Sequence, residues 1–456
     1  MADLHLQLDP DLGRRAGIET ALRDAIRSGR LKAETPLPST RTLATDLGVS
    51  RATVVAAYGQ LTAEGFLVAS HGSATSVAAT QLPEVAASSA NPFWETPRFD
   101  FRPGEPAADS FPRRAWLKSV RRVLTDSPDD VFGYGDPRGR PELRNALASH
   151  LGRTRSVLAD PGAISVVGGF ASGVGFLAEV FAGMSGRIAI EDPMLFFHRH
   201  ILELAGLEVV PIPVDSAGVM VDHLEGEAVD AVLVTPAHQH PLGTTLSADR
   251  RNQLVAWARA TDTWIIEDDY DGEFRYDRKP IGALQGLAPD RVVYAGTASK
   301  TLAPGLRMGW LVLPDGLRRE VQKRIHIKAG VSTIDQLILA DFLDSGSLDR
   351  HLRTMRPNYR TRREQLVERL ALDVPWLDVI DHPVGLHLTA RITDPGIDEQ
   401  ELVEAAAKAD VGIMGLGICH LDQDAPRHRG VLVGFARPAD HQFPAAVDAL
   451  LRVLGS

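Results

Sequence analysis

The chain has 456 residues, enough for two or three domains and a large core. Apolar residues make up 44% and charged residues 24%, which excludes a disordered or fibrous protein. The net charge of −10 does not advertise a nucleic-acid binder, yet residues 1–79 carry eight basic and eight acidic side chains, so the excess acid falls wholly on residues 80–456.

The single cysteine, Cys419, cannot form an internal disulfide and fits a reducing cytoplasm. Asp3, Asp9, Asp11, Arg14 and Arg15 argue against a signal peptide. From Pro161 to Val180 no charge appears before Glu179, but five glycines break the run. It reads as a strand, a glycine turn and a helix, not as a membrane span, and no membrane partner is expected.

In chain order, Ile18 to Leu31 has apolar residues at 18, 22, 25 and 26, the spacing of a helix. Leu37 to Arg41 opens a second helix with a serine cap, and Leu43, Ala44 and Leu47 form its inner side. Gly48 to Ser50 makes a short turn, and Ser50 caps a third helix, Arg51 to Glu64. Val54, Tyr58 and Leu61 face inward there, leaving Arg51, Thr53 and Val55 outward near the N-terminus, the end from which a recognition helix reads bases. Phe66 to Val68 and His71 to Ser73 form a wing hairpin. The run LPSTRTLATDLGVSRATVVAAYGQLTAEGFL resembles the GntR family of winged helix-turn-helix DNA-binding domains. The resemblance implies that Arg41, Ser50, Arg51 and Thr53, with His71 and Gly72 of the wing, meet phosphate or base edges; otherwise they are solvated surface residues. Residues 80–99 then read as a linker of small residues, serines and prolines, with a reach on the order of 25 Å for about twenty residues. The expected domains are 1–79, the linker 80–99, and 100–456.

In the larger part, Phe132 to Gly139 is a glycine-rich turn before a helix from Pro141 to Gly152. Trp264 to Asp271 reads as a buried strand ending in carboxylates and a tyrosine, and strand C-termini in a parallel sheet open into the ligand crevice. A second strand ending at Tyr294 leads into Thr297, Ser299 and Lys300, with Arg307 seven residues on. Two cations flanking two hydroxyls suit a bound phosphate beside a reactive carbonyl, with an amine able to form a Schiff base; the alternative is a strand-end turn with two solvated cations. His238 and His240 lack a third ligand at helical or hairpin spacing, so no metal is expected. From about Gly346 a long basic helix begins, expected to be solvated or ion-paired, with contact to DNA phosphates as a second reading. Ala409 to Ser456 reads as a strand-and-helix cap.

The runs PAHQHPLG at 236–243, IIEDDYDGEFRY at 265–276 and GTASKTLAPGLRMG at 296–309 together resemble fold-type I aminotransferases, and more closely the MocR subgroup of GntR-type regulators. The resemblance implies an α/β domain with a mostly parallel sheet, flanking helices and a small C-terminal subdomain. It further implies pyridoxal phosphate held by Lys300 as a Schiff base, with Asp268 at the pyridine nitrogen, and Tyr270 and His240 at the ring hydroxyl. Thr297, Ser299, Arg307 and the helix start at Phe170 and Ala171 would bind the phosphate, together with Tyr134 from a neighbouring subunit, which implies a homodimer with shared sites. The chain departs from the pattern at Phe170 and Ala171, where hydroxyl and amide side chains are usual. It departs again at Leu195, where an aromatic ring is usual, and at Leu432, where an arginine would clamp a carboxylate; Arg429 or Arg437 could replace that arginine. The expected function is a cytoplasmic regulator that binds operator DNA and senses pyridoxal phosphate, an amine or an amino acid. The missing clamp points to the cofactor itself or to a non-standard amine as the signal. The competing reading is an active aminotransferase with an accessory DNA-binding domain, and a residual transaminase half-reaction is compatible with the regulator.

Overall fold

The computed structural model describes residues 6, 8–9, 12–69, 74–79, 96–277, 281–328, 330–380, 382–423 and 428–455. The wing residues His71 and Gly72 and most of the expected linker lie outside them. The chain divides into two compact units, Met1–Glu95 and Thr96–Ser456.

The small unit contains α1 (Arg14–Arg27), α2 (Thr40–Asp46), α3 (Arg51–Ala63) and the antiparallel pair β1 (Leu67–Val68) and β2 (Ser76–Val77). Ile18, Leu22, Leu43, Val54, Leu61 and Leu67 meet in its core. α1 starts a turn before its apolar run and stops short of Leu31, whose N–H instead reaches the Ala25 carbonyl at 2.8 Å. Serine side chains open the next two helices. Ser39 Oγ accepts from the Thr42 N–H at 3.2 Å and Ser50 Oγ from the Thr53 N–H at 3.1 Å, satisfying N–H groups that have no partner within the helix.

The large unit begins with β3 (Phe99–Asp100), α4 (Arg113–Asp126), α5 (Pro141–Arg155), β4 (Ile164–Val167) and α6 (Phe170–Phe181). It continues through β5 (Arg187–Asp192), α7 (Phe196–Leu204), β6 (Glu208–Asp215), β7 (Gly218–Val219), β8 (Ala231–Val234) and α8 (Ala248–Ala260). Next come β9 (Trp264–Asp269), β10 (Val292–Thr297), β11 (Gly309–Val312), α9 (Asp315–Ile327), α10 (Thr333–Asp344) and α11 (Ser347–Asp373). The last elements are β12 (Leu377–Ile380), β13 (His387–Ile392), α12 (Glu399–Lys408), β14 (Val411–Gly412), β15 (Met414–Gly415), β16 (Gly430–Gly434) and α13 (Phe443–Leu454).

The main sheet runs β4-β11-β10-β9-β8-β5-β6-β7. β10, β9, β8, β5 and β6 are mutually parallel; β11 runs antiparallel between β10 and β4, and β7 pairs antiparallel with β6 at the other end. Its central strands are buried on both faces, hence their unbroken apolar runs. A smaller antiparallel sheet, β12-β13-β16-β15, forms the C-terminal subdomain. This is the expected α/β class. Among the described residues no helix is long and apolar enough to cross a membrane.

The basic helix α11 meets the expectation of solvated or ion-paired cations in part: Arg353 is exposed and Arg369 pairs with Asp373 at 2.9 Å, but other arginines turn inward. Arg356 donates to the Glu273 carbonyl at 2.7 Å, Arg360 to Tyr276 at 3.1 Å, and Arg362 to Pro438 at 2.6 Å. Arg362 and Arg363 are buried. These guanidiniums supply donors to carbonyls of irregular segments, which otherwise would be buried without partners.

Candidate functional site

Asp268 lies near the C-terminal end of β9, opposite Ala295 of the parallel β10, and Thr297 ends β10. The turn after Thr297 carries Lys300 to the same edge of the sheet. The Lys300 amine donates to the Gly104 carbonyl. Gly104 has φ +104° and a Cβ there would stand 3.2 Å from the lysine nitrogen, so both backbone conformation and space call for glycine. Burial lowers the Lys300 pKa, against the pull of Asp268, Asp271 and Glu105, which favours the neutral, nucleophilic amine.

Asp268 is 3% exposed, and among the described residues its Oδ1 has no hydrogen-bond partner. Its Oδ2 stands 3.7 Å from His198 Nε2. Burial raises the Asp268 pKa well above the carboxylate range, opposed by the Lys300 charge. The Tyr270 hydroxyl lies 2.9 Å from His238 Nδ1, and Asp271 Oδ2 lies 2.8 Å from the same nitrogen. His238, Gln239 and His240 are all buried. Gln239 pins their loop, donating to the carbonyls of Pro193 and His240 at 2.8 Å each and accepting from the Leu242 N–H at 3.0 Å. The rings of His238 and His240 each pack 5.1 Å from His387 of β13. Among the described residues His240 Nδ1 has no partner, and burial drives its pKa well down.

Thr297 Oγ1 donates to Ser299 Oγ at 3.0 Å and accepts from the Ser299 N–H at 3.1 Å, closing a tight turn of hydroxyls. Arg307 is exposed at φ +47°, and among the described residues its guanidinium makes no hydrogen bond or ion pair. Phe170 and Ala171 open α6 after Gly169, without a side-chain cap, and the Phe170 ring packs 4.7 Å from His198. Tyr134 is fully exposed on its loop. An open groove of about 900 Å³ lined by Arg138, Arg319, Lys323 and His326 holds none of these groups.

Behind the site, Arg155 and Asp269 form a bidentate pair at 2.6 and 2.9 Å, and Tyr294 donates to the same carboxylate at 2.7 Å. Their side chains are 3% and 1% exposed. Arg155→Met leaves the Asp269 charge buried without its counter-ion, so the expected loss of stability is about 3–5 kcal/mol. A lowered urea midpoint for the large unit is the observation that checks it; an unchanged midpoint removes this pair as a support of β9.

On the small unit, Arg41 and Arg51 are exposed, and Arg51 Nε reaches Thr40 Oγ1 at 3.4 Å. The Ser50 hydroxyl is engaged by the cap and by Thr53 Oγ1 at 2.8 Å.

Residues 14–77 match the gntR family of bacterial regulatory proteins, and residues 100–414 match the class I and II aminotransferases. The HTH-type regulator YhdI of Bacillus subtilis is 33% identical over 444 residues, spanning 94% of this chain and 93% of YhdI. The regulatory protein MocR of Rhizobium meliloti is 33% identical over 95% of this chain and 92% of its own. The chain belongs to the MocR-type GntR regulators. The pyridoxine biosynthesis regulator PdxR of Corynebacterium glutamicum is 34% identical over 95% of each chain. Among solved structures, a multiple substrate aminotransferase from Thermococcus profundus aligns with a TM-score of 0.71 at 26% identity, over 78% of this chain and 91% of its own. These end-to-end relatives are transcription regulators, so the findings favour a regulator over an active aminotransferase.

For a MocR-type regulator, the departures have definite placements. Leu195 is half-buried at the start of α7. Leu432 is fully buried among Leu242, Leu416 and Cys419, an apolar cluster that offers a carboxylate nothing. Of the two candidate replacements, Arg429 donates to the Ile397 carbonyl at 3.3 Å. Arg437 pairs instead with Asp100 at 3.1 Å and with Glu105 at 3.3 Å, beside the carbonyl that takes the Lys300 amine. His198, Gln239, Asp271 and His387 were not among the expected site residues. For Asp271 a signal existed, since it directly follows Tyr270 in the acidic run; for His387 there was none.

Proposed function

We propose that the chain binds operator DNA through its winged helix and holds pyridoxal phosphate in the large unit, where the cofactor or an amine acts as the signal. The observation that carries the cofactor reading is the convergence of Lys300, Asp268 and Tyr270 at one sheet edge with buried polar atoms left over. Among the described residues Asp268 Oδ1 and His240 Nδ1 lack partners, and the Arg307 guanidinium makes no hydrogen bond or ion pair. An acid, two acceptors or donors and a cation are what a pyridine ring with a phosphate requires.

When bound, pyridoxal phosphate supplies an electrophilic aldehyde and an electron-withdrawing ring. Lys300 offers the amine that binds it. Asp268 holds a proton at the ring nitrogen, and Tyr270 with His240 meets the ring oxygen. Thr297, Ser299, Arg307 and the N–H groups at the start of α6 hold the phosphate. With Phe170 and Ala171 in place of hydroxyl and amide side chains, that grip depends on backbone donors.

Leu117, Leu124, Phe132 and Tyr134 are exposed together on α4 and the loop after it, which supports a homodimer in which a second copy covers them and receives Tyr134. The reading assigns residues 1–79 to DNA, 80–99 to a joint and 100–456 to sensing and dimerisation, in the cytoplasm. A ligand that favours one arrangement of the large unit shifts the affinity of the DNA heads by its differential binding.

The test is selection of bound fragments from genomic DNA, followed by titration of the selected site with and without pyridoxal phosphate and a panel of amines. The expected change in affinity is about tenfold. Failure to select a site, or an affinity that no ligand alters, overturns the reading.

A further inference from the structure

We propose that His238 and Asp271 act as a positioning pair that aims the Tyr270 hydroxyl proton into the site, so that the ligand atom meeting Tyr270 is a hydrogen-bond acceptor. The inference rests on the cofactor reading for the identity of that atom, the ring oxygen in its deprotonated form, but its structural core does not.

Two groups compete for one nitrogen. His238 Nδ1 lies 2.8 Å from Asp271 Oδ2 and 2.9 Å from the Tyr270 oxygen. An imidazole nitrogen carries either one proton or one lone pair in the ring plane. The Asp271 carboxylate has only lone pairs to offer, and His238 and Asp271 side chains are 3% and 1% exposed, beyond the reach of bulk water. Among the described residues His238 Nδ1 is the one side-chain atom within hydrogen-bond distance of Asp271 that can carry a proton for it. The proton therefore sits on Nδ1 and points to the carboxylate.

With Nδ1 protonated, Tyr270 cannot donate to it. Its oxygen turns a lone pair towards Nδ1, and its own O–H has no other protein acceptor among the described residues. That free proton is the one available to a ligand. The reverse tautomer, with a bare Nδ1 accepting from Tyr270, sets a nitrogen lone pair 2.8 Å from a carboxylate oxygen and leaves Asp271 buried without a donor, a costly arrangement.

The packing fixes this geometry. The Tyr270 and His238 rings stack at 5.8 Å and 28°, and His387 closes the far side of His238 at 5.1 Å. Gly385 has φ +77°, and a Cβ there would stand 2.0 Å from His238 Cε1 and 2.8 Å from Asp271 Oδ2, so the backbone itself presses on the pair. The other ionisable groups around Tyr270 are Asp268, Glu191 and Asp269, with His240 against its ring edge and Lys300 opposite Asp268. Burial and these acids hold the Tyr270 pKa well above the ordinary phenol value, so the hydroxyl stays a donor.

Two measurements test the proposal. In ligand-free full-length protein, the ring-nitrogen chemical shifts of His238, identified by their loss in His238→Asn, should report a protonated Nδ1 and a bare Nε2; the opposite assignment overturns the proposal whatever the cofactor does. In protein with added pyridoxal phosphate, the visible band should titrate with a midpoint that rises in Tyr270→Phe, because an oxyanion that loses its donor holds the neighbouring proton more tightly. The expected rise is on the order of one pH unit or more. Asp271→Leu removes the acceptor that keeps the proton on Nδ1, so that Tyr270 can donate to that nitrogen, and it should move the midpoint the same way. The double variant should move no further than Tyr270→Phe alone. An Asp271→Leu midpoint equal to the parent's, or shifts that add, would overturn the proposal. A parent protein with no visible band removes the cofactor reading only, since the nitrogen shifts still decide the tautomer.

Discussion

Lys300→Ala will abolish the visible absorbance that pyridoxal phosphate acquires on the parent protein, and will weaken cofactor retention through gel filtration by at least about tenfold. The argument is chemical. Lys300 is the only amine described at this sheet edge, tethered to Gly104 and flanked by Asp268 and Asp271, with a pKa lowered by burial so that the neutral amine is available. Alanine removes the nucleophile while leaving Asp268, Tyr270, Thr297, Ser299 and Arg307 in place, so residual non-covalent binding of the phosphate is expected without the band. The substitution truncates one half-buried side chain at the sheet edge, and the fold should persist, as far-ultraviolet circular dichroism would report. A band that survives in Lys300→Ala would mean that another amine captures the aldehyde. Absence of a band in both proteins would mean that Phe170, Ala171 and Leu195 have cost the site its cofactor.

Much of this site could be read along the chain because parallel strands put chemistry at their ends. The run from Trp264 is apolar until Glu267, and the run from Val292 is apolar until Thr297, so where polarity returns, the crevice begins. What could not be read is whatever depends on two distant segments meeting. His238 and Asp271 are 33 residues apart, and His387 comes from the C-terminal subdomain, yet the three form one buried cluster. Charge was misleading for part of α11. Its arginines have the pattern of a solvated face, but Arg356, Arg360 and Arg362 turn to carbonyls of other segments, a need that helical periodicity does not reveal. The start of α1 at Arg14 is hidden for the opposite reason, since an exposed first turn leaves no apolar mark.

Arg51→Ala should lower affinity for a selected operator by about 1–3 kcal/mol, roughly fivefold to 150-fold, while leaving the pyridoxal phosphate band unchanged. Arg51 is the first residue of α3 and is exposed, and its one described side-chain contact within the protein is a long hydrogen bond to Thr40. Alanine is the best helix former, and the Ser50 cap on the Thr53 N–H does not involve Arg51, so thermal stability of the small unit should not fall. Any loss of binding then belongs to the interface with DNA. The salt dependence separates the two ways in which an arginine can act there. If Arg51 neutralises a phosphate, the slope of log affinity against log salt becomes shallower by about one and all sequences weaken alike. If it reads a base edge, the slope hardly moves and discrimination relaxes at one operator position. The placement at the N-terminal end of α3, with Val55 outward on the same helix and Arg41 exposed on α2, favours base reading by Arg51 and phosphate contact by Arg41. Operator affinity unchanged in Arg51→Ala would remove α3 from the groove and require another surface of the small unit to carry recognition.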